Sequence, residues 1–331
     1  MNTRKLSEIA IIFMGIVLLV FLLKEFQSFL RPFVIAVILT FLFVPFTRLS
    51  VKRRHSILFG TLSAIALLSV VIFGVTYLIS DSAVTENTNI GFTDKLIGLV
   101  SEDIDLFGNS FSLTSLIDPA KIGEMISKTF SVLFSSTTSF ISELFIIILF
   151  VSFLLPVHDI WVNKIKNSLS GENKKLFRNT MELVEQSIRD YLYVKSIVSF
   201  GTAGVSFLFM MSFGVEYAAL FALMIFALNF VPNIGSILAV GIVGLSHFVN
   251  SGFGVSFVVL LVLLIVTQII FGNVVEPKFA GSKLDVSPVL ILLSLFFWGS
   301  IWGIGGMLFS VPLTVIIKIV LTKVLNSNSF K

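Results

Sequence analysis

The chain of 331 residues is 56% hydrophobic and only 13% charged, with a mean hydropathy of +1.03, whereas soluble domains carry about a quarter charged residues, so it reads as a polytopic membrane protein. Its excess of four positive charges is spread along the chain and not gathered into a basic tract, which argues against a nucleic-acid partner. The lack of cysteine excludes disulfides and thiolate chemistry, and His55, His158 and His247 lie too far apart to form a ligand-spacing motif, so neither a metal nor a cofactor is expected.

Arg4 and Lys5 precede an apolar run at 9–23, which resembles a signal peptide until Lys24-Glu25 appears without a small-residue cleavage site. It reads as a retained first span. Uncharged runs at 33–46 and 57–79 give two more spans, with Pro32 and Pro45 at the ends of the second, where proline costs a helix least. The connector between them carries Arg48, Lys52, Arg53 and Arg54 and no acid, which places it, and the N-terminus two spans earlier, in the cytoplasm.

Span parity then puts 81–128 outside, with eight acids (Asp81, Glu86, Asp94, Glu102, Asp103, Asp105, Asp118 and Glu124) against three lysines. Asp118-Pro119 looks like a helix start with Asp118 as N-cap, so a small helical insertion is expected at 81–139. A fourth span, 140–157, has Glu143 near its outer end and returns the chain to the cytoplasm. The segment 158–195 leans basic, and Phe177, Met181, Val184, Ile188 and Tyr191 fall at spacings of three and four. That period describes an amphipathic helix on the cytoplasmic surface, leading into the span 196–215 with its Gly201 and Gly204.

The uncharged runs then become too long for single spans. A helix over 217–249 would be about 50 Å long against a hydrocarbon core of about 30 Å, and it is interrupted by Pro232-Asn233-Ile234-Gly235. The run 286–320 repeats the pattern, with its break at 299–306. Re-entrant hairpins keep Lys278 and Lys283 inside, as the positive-inside rule prefers, whereas Trp298 and Trp302 suit a membrane interface and an ordinary span. The expected fold is an all-α polytopic membrane protein of about eight segments, six full spans and two broken or re-entrant hairpins. Its parts are spans 1–3 (1–80), the acidic insertion (81–139), span 4 (140–157), the cytoplasmic helical segment (158–195), a transport core (196–323) and a cytoplasmic tail (324–331).

No phosphate-binding loop is present, and Gly303-Ile304-Gly305-Gly306 lacks the strand-turn-helix context of a dinucleotide site. Gly299-x-x-x-Gly303 suits helix packing. No catalytic set can be built from spacing, so an enzyme is not expected. Two interrupted segments at corresponding positions are instead the mark of many secondary transporters. The candidate pathway residues are Asn229, Pro232, Asn233 and Gly235 at the first break, Gln268, Asn273, Glu276 and Pro277 after it, and Gly303, Gly305 and Gly306 at the second. For Glu276 two readings stand: a carboxylate that takes a proton or sodium ion, or a loop carboxylate paired with Lys278 or hydrated.

Leu228-Asn229-Phe230-Val231-Pro232-Asn233-Ile234-Gly235, then Asn273-Val274-Val275-Glu276-Pro277-Lys278-Phe279-Ala280-Gly281, Ser287-Pro288, Gly303-Ile304-Gly305-Gly306 and Val311-Pro312-Leu313, in that order, resemble the autoinducer-2 exporter family. The resemblance is strongest over 185–323. The chain departs from the family pattern at Val194-Lys195, where many relatives carry a Gly-Gln pair. What the resemblance implies is a multi-pass transporter of the bacterial inner membrane with eight membrane segments, assembling as a homo-oligomer; the charge pattern places both termini in the cytoplasm. Relatives are assigned either export of the furanone-derived signal or sodium(lithium)/proton antiport. Three functions are open on this basis: secondary export of a small polar solute, antiport through Glu276 with Glu143 or Asp190 behind it, and a non-transporting scaffold acting through 81–128. The partners expected are the lipid bilayer and a small polar solute or monovalent cation.

Overall fold

The computed structural model describes residues 3–47, scattered positions between 61 and 76, 103–106, 109–112, 119–232, 234–280 and 287–325. Much of the third span, the basic connector before it, Asp118, Asn233, Lys283 and the end of the tail lie outside the described residues.

The elements in chain order are α1 (Thr3–Glu25), α2 (Gln27–Thr47), a strand pair β1 (Asp103–Leu106) and β2 (Asn109–Ser112), α3 (Pro119–Ser168), α4 (Gly171–Ser212), α5 (Ala218–Leu228), α6 (Ile234–Ser251) and α7 (Val255–Ile269). A π-helical turn, Ile270–Val275, joins α7 to α8 (Glu276–Ala280), and α9 covers Pro288–Leu325. Among the described residues six helices are long and apolar enough to cross a membrane: α2, α3 from Glu143, α4, α6, the α7–α8 rod and α9. The protein is a helical, polytopic membrane protein. The side chains of α1 from Ile11 to Phe21 are largely exposed and apolar, a surface suited to lipid contact.

Three details differ from the expectation. The acidic insertion, expected to be helical, contains the antiparallel pair Asp103↔Ser112, Ile104↔Phe111, Asp105↔Ser110 and Leu106↔Asn109. Asp-Ile-Asp-Leu alternates with a period of two, and the two strands are separated by Phe107-Gly108 alone, a hairpin signature that the helix-start signal at Pro119 overshadows. α2 starts at Gln27, so Pro32 lies inside the helix and not at its end. α3 and α4 also run on without interruption for 50 and 42 residues, because helical hydrogen bonding is satisfied within the helix and is indifferent to whether the side chains change from apolar to charged. α3 begins at Pro119 as expected, with proline at the first helical position.

The chain divides into two compact units: residues 1–67, 146–194 and 280–331, and residues 68–145 and 195–279. In the first, α1, α2 and α9 pack together. Phe29 and Phe33 of α2 meet the ring of Phe150 edge-on, with centroids 5.6 and 5.4 Å away. The predicted apolar face of α4 is inward here, with Val184, Ile188 and Tyr191 buried. His158 of α3 lies edge-on to Phe41, and its Nε2 is 3.3 Å from Glu185 Oε1 on α4.

In the second unit α4 ends in a Schellman motif. Val215 N–H donates to Met210 O (2.9 Å) and Gly214 N–H to Met211 O (3.2 Å), with Gly214 left-handed at φ 67°. That turn starts α5, and Phe221 and Ile225 of α5, Ala239, Val240 and Val243 of α6, Leu260 and Leu264 of α7 and Ala203 and Met210 of α4 form one apolar cluster.

Candidate functional site

Both breaks are sharp reversals. At the first, α5 tightens as it ends: Phe230 N–H donates to Ala227 O (3.1 Å) and Val231 N–H to Leu228 O (2.8 Å), the three-residue spacing of a 3₁₀ turn. Pro232 brings no N–H, so the helix cannot continue. Ile234 N–H then reaches Pro232 O (2.6 Å), Gly235 N–H reaches Val231 O (3.2 Å), and α6 begins. The fold is so tight that a β-carbon on Gly235 would overlap the carbonyl of Leu228. At its 11 residues α5 is about 16 Å long, too short to cross the bilayer. With Phe221 and Ile225 packed against the α6 residues Ala239 and Val243, the pair is a helical hairpin.

The second break divides α9 at Gly303, whose φ 61°, ψ −142° is open only to glycine. Positions 299 and 307 of a straight helix would lie about 12 Å apart, yet the Met307 side chain comes within 2.8 Å of where a Gly299 β-carbon would stand. A β-carbon on Gly306 would overlap the carbonyl of Trp298. The chain doubles back here too, with a first arm of roughly 22 Å. Arg31 of α2 lies along Gly305 and donates from Nη1 to the Trp302 carbonyl (3.3 Å), while Trp302 Nε1 donates to Leu23 O (2.9 Å). The break takes carbonyls out of the helical ladder, and that of Trp302 is answered by this guanidinium. Trp298 and Trp302 are buried at this tip, at 7% and 2% exposure. Nothing stands within 4 Å of a β-carbon on Gly303, so its replacement by alanine costs conformational strain alone. Gly303→Ala is expected to lower stability by about 1–3 kcal/mol, read as a fall in melting temperature of purified protein, and a melting temperature equal to that of the parent contradicts the left-handed tip.

The charged chemistry of the second unit lies between α4 and the π-helical turn. The turn exists because Glu276 N–H reaches back five residues to Phe271 O, and the next residue, Pro277, has no N–H to restore the α-helical ladder. Inserting one residue in this way rotates the remainder of the rod by about 100°. Glu276 meets Lys195 of α4, not Lys278. The Lys195 ammonium lies 2.8 Å from both Oε1 and Oε2, with side-chain exposures of 9% and 30%. Further along α4, Gly201 lies so close under the Phe271 ring that a β-carbon there would overlap it. The two helices run antiparallel in this register, with 195 opposite 276 and 201 opposite 271.

The predicted site residues thus fall into separate groups. Asn229 ends α5, donating its N–H to Ile225 O (3.0 Å), and Pro232 and Gly235 form the first tip. Gln268 stands on α7 with Nε2 buried and without a hydrogen-bond partner. Glu276 is neutralised by Lys195. Asn273 and Pro277 lie beside it, both exposed, and Gly303, Gly305 and Gly306 form the second tip in the other unit.

A chain with two folded-back helices and no metal cluster among its described residues matches the AI-2E family transporter description over residues 9–326. The chain belongs to the AI-2E transporter family. A Borreliella burgdorferi protein assigned by name to transport is 30% identical over 198 residues, 60% of this chain and 55% of that protein. A Haemophilus influenzae protein likewise assigned to transport is 26% identical over 297 residues, 88% of this chain and 85% of the relative. The AI-2 transport protein TqsA of Escherichia coli is 33% identical over 143 residues, 43% of this chain and 41% of TqsA. The aligned part thus spans just over half of the Borreliella protein and less than half of TqsA. The chain is thus a multi-pass membrane protein of the AI-2E family.

Two residues of this family member are not singled out by sequence reasoning. Lys195 reads as one more base of an amphipathic segment, although its place at the edge of the apolar half of α4 and in the departure from the Gly-Gln pattern marks it. Arg31, directly before Pro32, stands at the edge of an apolar run and reads as a flank; inside α2 it faces the second tip.

Proposed function

We propose that this chain is a secondary transporter that carries a small, polar, uncharged solute outward across the inner membrane, with both termini in the cytoplasm, by alternating access around its two folded-back helices. The observation that carries the reading is the pair of tips at Gly235 and Gly306, each closed against a carbonyl of the preceding helix. Short re-entrant arms expose backbone groups at membrane depth, where only protein or a solute-lined cavity satisfies them. The bidentate Lys195–Glu276 pair supports an uncharged cargo, because it occupies both oxygens of the carboxylate that antiport would need. Names of relatives agree in class, and TqsA is named for AI-2.

Purified protein in proteoliposomes with an internal pH dye tests this. Labelled polar metabolites are expected to leave the vesicles, with no proton movement when a sodium gradient is imposed. A sodium-dependent proton flux that Glu276→Gln abolishes overturns the reading in favour of antiport. Silence toward every gradient and solute, in folded protein, leaves the scaffold.

A further inference from the structure

We propose that the buried hydroxyl face of α4, carried by Ser199 and Ser206 and flanked by Gln268, binds a neutral solute that offers both hydrogen-bond donors and acceptors. The assignment rests on the transport function proposed for the chain and places its cargo on named side chains.

Hydroxyls inside the helices of this chain generally donate to their own backbone one turn earlier: Thr40 to Ala36 O, Thr267 to Leu263 O, Ser294 to Ile291 O and Ser310 to Met307 O, at 2.7–2.8 Å. On α4, Thr202 does the same with Val198 O (2.8 Å). Ser199 and Ser206 do not. Both are fully buried, at 0% exposure, and neither Oγ has a hydrogen-bond partner. A buried hydroxyl that declines the carbonyl within its reach and finds no other partner is costly, and native structures retain such groups chiefly for a reason outside folding.

The two hydroxyls share a direction. At 100° per residue, Ser199, Thr202 and Ser206 lie within about 40° of Lys195 around the helix axis, and Lys195 points to Glu276. On one side of this line Ala203 and Met210 join the apolar cluster with α5, α6 and α7. On the other, Gly201 takes the Phe271 ring. Gln268 stands on α7 between Leu264, a member of that cluster, and Phe271. Continuing the antiparallel register from 201–271 brings Gln268 to the level of residues 204–206, and its buried Nε2 is the third group without a partner.

The groups left over on this face set its selectivity. Lys195 and Glu276 neutralise each other, and Thr202 is satisfied by Val198. The remaining groups are two hydroxyls, each able to donate and accept, and an amide N–H donor. Two hydroxyl oxygens are far too few to replace the hydration shell of a cation, and Lys195, the base at the end of this line, is already committed to Glu276 and does not await an anion. A polyol or sugar-like molecule matches it.

The chain has no cysteine, so a single introduced thiol reports on its own site. In membrane vesicles Ser199→Cys and Ser206→Cys are expected to react with hydroxyethyl methanethiosulfonate, itself small and neutral, at least tenfold faster than Thr40→Cys and Ser294→Cys, which replace buried but back-bonded hydroxyls. Xylitol or ribose should slow that labelling, while lactate and choline should not. The modified protein should lose at least tenfold in solute efflux. The Ser199→Ala, Ser206→Ala double variant should melt no lower than the parent, because it removes two unpartnered groups. Labelling no faster than the controls, labelling that neither neutral solute slows, or efflux that modification leaves intact each overturns the binding face. A melting temperature well below the parent's also overturns it, since the hydroxyls would then serve folding. These outcomes are separate from failure of the transport reading, which appears as absent efflux in the unmodified parent.

Discussion

Gly235→Ala and Gly306→Ala are each expected to destabilise the protein by about 3 kcal/mol, enough to remove most of the folded, monodisperse species from detergent extracts. At both positions the atom that an added methyl would meet first is a backbone carbonyl, Leu228 O or Trp298 O. A side chain in the way can rotate aside, but a carbonyl that closes a turn moves only if the turn opens. Behind each carbonyl stands a second obstacle: Val231 Cβ at 3.2 Å from the Gly235 position, and Trp302 Cβ at 3.0 Å from the Gly306 position. The control is Gly241→Ala. Gly241 lies in α6, and a β-carbon there meets nothing within 4 Å. Alanine is the better helix former by about 1 kcal/mol, so this third variant should hold or raise the melting temperature. The same chemical change is thus expected to act in opposite directions at three glycines of one protein. Size-exclusion profiles and melting curves of the three variants decide it, and parent-like behaviour of Gly235→Ala and Gly306→Ala would mean that the hairpin tips are open.

The location of these tips can be read from the residues, but their closure cannot. Pro232 lacks an N–H and the run 217–249 exceeds the thickness of a bilayer, so a break is required there whatever its shape. Whether the arms fold back depends on how closely two backbone segments approach, and glycine is permissive in either case. Membrane segments are legible because apolar composition is what the bilayer selects. Helix length is not, since α3 and α4 cross from apolar to charged sequence with no change in backbone hydrogen bonding. Lys278 looks like the natural partner of Glu276, yet the residue that holds it stands 81 positions away. Locally nothing announces that partner, because the register of α4 against the π-helical turn is set by Gly201 under Phe271 and by a proline that shifts the helical phase. The unpartnered hydroxyls of Ser199 and Ser206 are likewise beyond reach, for a serine that bonds to its own helix and one that does not are the same letter.

Lys195→Met is expected to cost about 2 kcal/mol and to abolish most solute efflux. Removing one partner of a buried pair typically costs about 3–5 kcal/mol, because the other charge is left without compensation, and the figure is lower here because Glu276 keeps 30% side-chain exposure and some access to water. Glu276→Gln leaves an ammonium at 9% exposure, though its flexible stem allows partial escape toward the surface. The informative protein is the double variant Lys195→Gln, Glu276→Gln, which replaces two opposite charges by two amides able to hydrogen-bond at similar reach. Stability is expected to recover to within about 1 kcal/mol of the parent, since neither member then carries an unanswered charge. Efflux separates two roles that stability alone leaves merged. If the pair only fastens α4 to the π-helical turn, the neutral pair should fasten it too, and efflux should return with the melting temperature. If the pair opens and closes during transport, an amide pair that neither attracts as strongly nor parts as a unit of charge should leave efflux at least tenfold low in a protein as stable as the parent. The closure of the first tip, at Gly235, against rigid backbone favours the second result. With that tip unable to bend, movement in this unit falls to the register between α4 and the π-helical turn, which the Lys195–Glu276 pair spans.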